Sequence, residues 1–227
     1  LKDIDSNLWI GSALGMVKYN HLTKDFKLYD TNNKPVLIYT IAKSQNNSIW
    51  AGGFTTGLLK YNRALDTFEK IKGAGNVLPD EDIVEIIPKD NETLWVCTWA
   101  GGIHEFNIKN QHFKEVLIKG NRINRARTSL IDSKGNTWIG TDDGAYKISK
   151  DNATTRYFNN GKEKILSSDR VFNIKEDYEG NIWIGTNAGL TKLDPITHKT
   201  TFYYKQKGLP NDFIYSILIS RNNNIWV

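Results

Sequence analysis

Cysteine and methionine occur once each in the 227 residues, proline five times and histidine four times. One cysteine, Cys97, excludes an internal disulfide. His21, His104, His112 and His198 fall in unrelated stretches, with no pair at metal-ligand spacing. No serine or cysteine nucleophile comes with a plausible base. Catalytic residues, a metal and a cofactor are therefore not expected. No apolar run reaches the roughly 18 residues of a membrane helix. Charge of one sign is also short: the net charge is +5 and lysine and aspartate alternate throughout. Nucleic-acid binding calls for Lys and Arg clustered on one face, so it is not expected of this segment.

Tryptophan, by contrast, is abundant and ordered. Six of the seven tryptophans, Trp9, Trp50, Trp95, Trp138, Trp183 and Trp226, lie 41, 45, 43, 45 and 43 residues apart. Each sits in a phrase such as Leu8-Trp9-Ile10-Gly11 or Ile182-Trp183-Ile184-Gly185. A period in this range, filled with short β-rich segments, is the signature of propeller blades.

The unit reads most clearly over residues 169 to 205. Val171 to Lys175 is a strand, Asp177 to Asn181 a turn, and Ile182 to Thr186 a second strand. Asn187-Ala188-Gly189 turns again, and strands at Leu190 to Asp194 and Thr200 to Tyr204 complete four. Hairpins joining four short strands make one antiparallel blade. Gly15, Gly57, Gly102, Gly144 and Gly189 recur after the tryptophans, followed three residues on by Lys18, Lys60, Glu105, Lys147 and Lys192. These lysines read as a solvated strand edge. Cys97 takes the place of a repeated glycine, as a small buried thiol. The framed tryptophans are expected to be structural, buried between adjacent blades.

The expected fold is all-β, a β-propeller of four-stranded antiparallel blades. Blades are expected at about 1–33, 34–78, 79–122, 123–166 and 167–210, with a partial one at 211–227. Seven blades at this period need about 300 residues, and the first and last strand phrases duplicate one another. About five repeats of a larger, seven-bladed and here unclosed ring are therefore expected, with sequence missing at both ends.

The run Asp132-Ser133-Lys134-Gly135-Asn136-Thr137-Trp138-Ile139-Gly140-Thr141-Asp142-Asp143-Gly144 resembles the two-component regulator propeller repeat. It recurs from Asp177 to Gly189. The family's linker phrase stands as Gly208-Leu209-Pro210-Asn211-Asp212 and, more weakly, as Val77-Leu78-Pro79-Asp80. Ala51-Gly52-Gly53 and Cys97 depart from the pattern. The resemblance implies a periplasmic sensory ectodomain of a hybrid two-component system, with a transmembrane segment and a kinase outside this segment. It implies an oligosaccharide or other small ligand, and contacts with further repeats of the same chain and a homodimer mate. The alternatives are a scaffold for protein partners and an enzyme similar to the streptogramin lyases.

Candidate binding residues gather where copies differ. Trp99 is the tryptophan out of frame, in a turn where other copies carry Leu14, Thr55, Asp142 or Asn187. Its ring either stacks on a sugar or packs on a neighbouring loop. Arg122, Arg125 and Arg127 lie in a between-blade loop expected on the same rim, as a solvated loop or as forks for carboxylate or sulfate. Phe54, Asp142 and Asn187 complete the candidate set. The Asp-x-x-Gly-Asn turns lack the carboxylates of a calcium loop and read as self-bonded hairpin turns.

Overall fold

The structure, a computed structural model, describes residues 1–29, 36–118, 121–123, 125–151, 153–159, 161 and 164–227. It is all-β apart from one 3-10 turn at Lys205–Lys207. The chain divides into two compact units: residues 1–117 with 122–125, and residues 118–121 with 126–227.

The first unit holds three antiparallel sheets. The first contains β1 (Leu8–Ser12), β2 (Gly15–Tyr19) and β3 (Phe26–Tyr29). The second contains β4 (Ile38–Lys43), β5 (Ile49–Gly53), β6 (Leu59–Asn62) and β7 (Thr67–Lys70). The third contains β8 (Ile83–Pro88), β9 (Thr93–Thr98), β10 (Ile103–Asn107) and β11 (His112–Glu115). Strand β4 lies against both β1 and β8, so the sheets stack face to face. Two short strands, β12 (Leu117–Ile118) and β13 (Asn121–Arg122), pair in the segment that follows.

The second unit repeats the plan. One sheet contains β14 (Thr128–Ile131), β15 (Thr137–Thr141), β16 (Gly144–Ile148) and β17 (Thr154–Tyr157). The next contains β18 (Val171–Glu176), β19 (Ile182–Thr186), β20 (Gly189–Leu193) and β21 (Thr200–Tyr203). The last pairs β22 (Leu218–Ile219) with β23 (Ile225–Trp226). The sheets are propeller blades, each a meander in chain order. The first blade has three strands instead of the expected four, with an isolated Lys2–Leu8 bridge at the place where the inner strand of the other blades ends, and the last, expected as a partial blade, has two.

Each blade is built around its tryptophan. Trp9, Trp50, Trp95, Trp138 and Trp183 are buried. In the first unit Trp50 packs with Ile83, Ile86 and Phe106 of the next blade, and in the second Trp138 packs with Val171 and Ile174. Removing one indole from water stabilises the stack by about 2–3 kcal/mol. Trp226 differs from its expected burial: it is 62 % exposed, in the two-stranded pair of β22 and β23.

The indole N–H explains the turn. Asp132 accepts from the Asn136 backbone N–H at 2.8 Å with one oxygen and from Trp138 Nε1 at 2.9 Å with the other. Asp3 and Asp177 do the same for Trp9 and Trp183, both at 2.8 Å. One carboxylate thus closes the hairpin and satisfies a buried donor. Gly135 and Gly180 supply the left-handed φ, 78° and 83°, which the turn needs. In the second blade Ser44 Oγ takes the carboxylate's place, 3.1 Å from Trp50 Nε1.

The lysines read as a solvated strand edge are half-buried caps on the tryptophans. Lys18, Lys60, Lys147 and Lys192 are the cross-strand partners of Trp9, Trp50, Trp138 and Trp183. Their ammonium groups sit 5.3–5.6 Å from the indole centroids, within cation–π range. The third blade inverts the arrangement. Lys89 stands where the aspartate is elsewhere, and Glu105 where the lysine is. Glu105 accepts from Trp95 Nε1 at 3.1 Å, Lys89 lies 5.2 Å over the ring, and the two pair at 2.6 Å.

Glycine two residues after the tryptophan makes room for the next blade. A Cβ built on Gly140 would lie 2.5 Å from Val171, on Gly52 2.6 Å from Ile83, and on Gly185 2.7 Å from Ile214. At these three places the segment that opens the following blade therefore rests directly on the backbone of the one before.

Candidate functional site

The segment that leads into each inner strand, and the turn between second and third strands, carry residues that change from blade to blade. In the second unit their register is explicit. Thr128 pairs with Gly140, and Asn173 with Gly185. Arg127 and Phe172, one residue earlier, therefore hold the same place. The Gly144 N–H donates to Asp169 O at 2.8 Å and the Gly189 N–H to Asp212 O at 2.6 Å. That puts Arg170 in the place of Phe213 and Phe172 in the place of Tyr215. Asp142 and Asn187, each two residues before those glycines, are likewise equivalent. Phe172 is the extra residue of a bulge between Val171 and Asn173, a device that re-aims a side chain out of the ladder.

These positions form a continuous set. Arg127 grips Asp142 with two donors, Nε at 2.6 Å and Nη2 at 3.1 Å, and both side chains are only 16 % exposed. Arg170 Nε approaches the same carboxylate at 3.5 Å while its side chain stays 51 % exposed. The Arg127 guanidinium lies 5.3 Å over the Phe172 ring. Phe172 packs against Phe213 at 4.8 Å and Tyr215 at 5.1 Å, and those two lie 4.5 Å apart. Phe213 is exposed and Tyr215 is 70 % exposed. The Asn187 N–H donates to Arg170 O at 3.2 Å, and its side-chain Oδ1 is buried with no hydrogen-bond partner among the described residues. An aromatic shelf, an unsatisfied carboxamide oxygen and a guanidinium pair thus share one rim.

The residues picked from sequence fall in both units. Arg127, Asp142 and Asn187 belong to this rim, although Arg127 is engaged by Asp142 rather than offered to solvent. Phe54 and Trp99 lie in the first unit, both exposed. Phe54 packs 6.1 Å from Tyr39. The Trp99 N–H donates to Asp82 O at 2.8 Å. Arg125 is exposed, with φ at 53°. The side chain of Arg122 lies outside the described residues. Sequence reading missed Arg170, Phe172, Phe213 and Tyr215. Their signal was positional: aligning the residues after Ser168 with those after Asn211 shows a pair that varies while Val171 and Ile214 stay aliphatic. Among the described residues no group of His, Cys, Asp and Glu is placed to hold a metal, and no helix is long and apolar enough to cross a membrane.

Residues 165–188 and 208–227 match the two-component regulator propeller family model. The extracellular domain of a putative hybrid two component system from B. thetaiotaomicron is similar in fold, with a TM-score of 0.77 and 21 % identity over 98 % of this chain. The extracellular domain of a putative one component system from the same organism gives 0.76 and 18 % over the whole chain. This chain spans only 30 % and 32 % of those two chains. Virginiamycin B lyase from Staphylococcus aureus gives 0.74 and 12 % identity, covering 81 % of that protein. No curated protein matches the chain.

Proposed function

We propose that this segment is a non-catalytic, ligand-sensing, extracytoplasmic part of a hybrid two-component signalling protein, facing the periplasm and recognising an oligosaccharide or its breakdown product. The observation that carries the reading is the shelf of Phe172, Phe213 and Tyr215 beside the unsatisfied Asn187 oxygen. Exposed rings offer a flat apolar face to the C–H side of a sugar, and a partnerless buried acceptor is completed by a ligand hydroxyl. The propeller repeats at 165–188 and 208–227 support the sensory assignment. Phe54, Trp99, Arg122 and Arg125 are a second candidate rim in the first unit. Further repeats, a homodimer mate and a membrane anchor outside this segment belong to the same proposal.

The fold likeness to virginiamycin B lyase keeps an enzymatic reading in view. One experiment separates the two. The intact ectodomain is titrated calorimetrically with a panel of oligosaccharides, and each mixture is then analysed for products. Binding with the ligand recovered unchanged supports sensing. Turnover abolished by a single substitution overturns it.

A further inference from the structure

Among the described residues two guanidinium groups, Arg127 and Arg170, meet at the carboxylate of Asp142. Arg127 already occupies both of its oxygens with short bonds. Arg170 is left with a 3.5 Å approach through Nε and a half-exposed side chain. A guanidinium has five donors in a planar fork, and those of Arg170 beyond Nε have no protein acceptor among the described residues. Such a fork takes an oxyanion with two parallel bonds. Arg170 also stands two residues from Phe172, across the bulge that turns that ring onto the shelf.

We infer that this rim binds a sugar carrying an oxyanion, with the ring on Tyr215 and Phe213 and the anionic group on the free edge of the Arg170 guanidinium. Asn187 Oδ1 accepts a ring hydroxyl. Asp142 and Arg127 are positioning residues. Their bidentate pair, packed over Phe172, fixes the carboxylate that holds Arg170 Nε and so aims the fork. A neutral sugar uses the shelf and Asn187 and gains nothing from Arg170. A carboxylate and a sulfate ester share this chemistry. This inference rests on the oligosaccharide reading above and narrows it to acidic sugars.

The test uses calorimetry on the intact ectodomain with three probes: trigalacturonic acid, a sulfated chondroitin disaccharide and neutral maltotriose. At least one acidic probe is expected to bind tenfold or more tighter than maltotriose. Raising salt from 50 to 500 mM is expected to shrink that preference. Arg170→Gln is expected to abolish it, leaving maltotriose affinity within twofold. Tyr215→Ala is expected to weaken every probe, with circular dichroism unchanged. Maltotriose binding as tightly as both acidic probes, or an acidic preference that survives Arg170→Gln, overturns the inference while leaving the oligosaccharide reading standing. If none of the three probes binds, both fail. The maltotriose titration on Arg170→Gln also guards against misfolding, because a collapsed rim loses the neutral probe as well.

Discussion

Lys89 and Glu105 meet at 2.6 Å beside the third blade's tryptophan, with the charges of the other blades exchanged. In the first, fourth and fifth blades an aspartate binds the indole N–H and a lysine caps the ring. Here the acid comes from the capping strand and the cation from the turn. The Trp95 environment still has one carboxylate on Nε1 and one ammonium over the face. The constraint is on the set of interactions around the indole, and the residue that supplies each one is interchangeable.

That relation predicts a double-mutant cycle. Lys89→Asp sets two carboxylates beside one indole, and Glu105→Lys sets two ammonium groups there. Each is expected to cost about 1–2 kcal/mol. The pair made together restores the arrangement of the other blades and should recover most of the loss. Urea midpoints of the four proteins give the coupling energy. A strictly additive result would show that the exchange is incidental.

Acid should weaken the fold through the turn aspartates. Burial pushes the carboxyls of Asp3, Asp132 and Asp177 up. Hydrogen bonds from the neighbouring Asn side chains, the indole N–H groups and the backbone outweigh it, leaving all three below the usual carboxylate range. A folded value below the unfolded one means that the unfolded chain binds protons more readily. The stabilisation is complete above the ordinary aspartate value of about 4 and is lost as pH falls through the folded values. Asp132→Asn should destabilise at pH 7 by about 1–2 kcal/mol and by less at pH 3. Thermal melts at the two pH values check this.

Gly140 and Gly185 are expected to reject side chains. Gly140→Ala drives a methyl into Val171 and Thr128, and Gly185→Ala drives one into Ile214. Each should cost about 1–3 kcal/mol of stability. Substitution of Gly161, which has open space around its Cβ position but a φ of 78°, should cost only the backbone strain. Denaturant midpoints compare the three.

Arg127→Ala should act on ligand binding without touching the ligand. It leaves a mostly buried Asp142 carboxylate beside Arg170. Arg170 then closes on Asp142, and its fork is lost to solvent and ligand. Acidic-probe affinity should fall severalfold while that for a neutral sugar holds. Stability should fall by about 1–3 kcal/mol, because a buried pair loses one member. An unchanged acidic preference in this variant would detach Asp142 from the positioning role.

Much of the architecture is legible in the residues alone. The spacing of Trp9 through Trp226 and the turns before them specify short antiparallel strands, because the hairpin needs a left-handed residue and an Asp that can bond its own backbone. Local chemistry of that kind is complete within a dozen residues. The role of Lys147 and its equivalents was not legible, because a lysine on a strand looks solvated until the register puts it opposite a tryptophan. The rim was half legible: Arg127, Asp142 and Asn187 stand out as variable, yet sequence treats Arg127 as free. Only the tertiary fold brings Asp142 within reach of two arginines from different blades and lays Phe172 against Phe213 and Tyr215, some forty residues away. Those contacts depend on how one sheet stacks on the next, and stacking geometry is a property of the packed blades that no single repeat encodes.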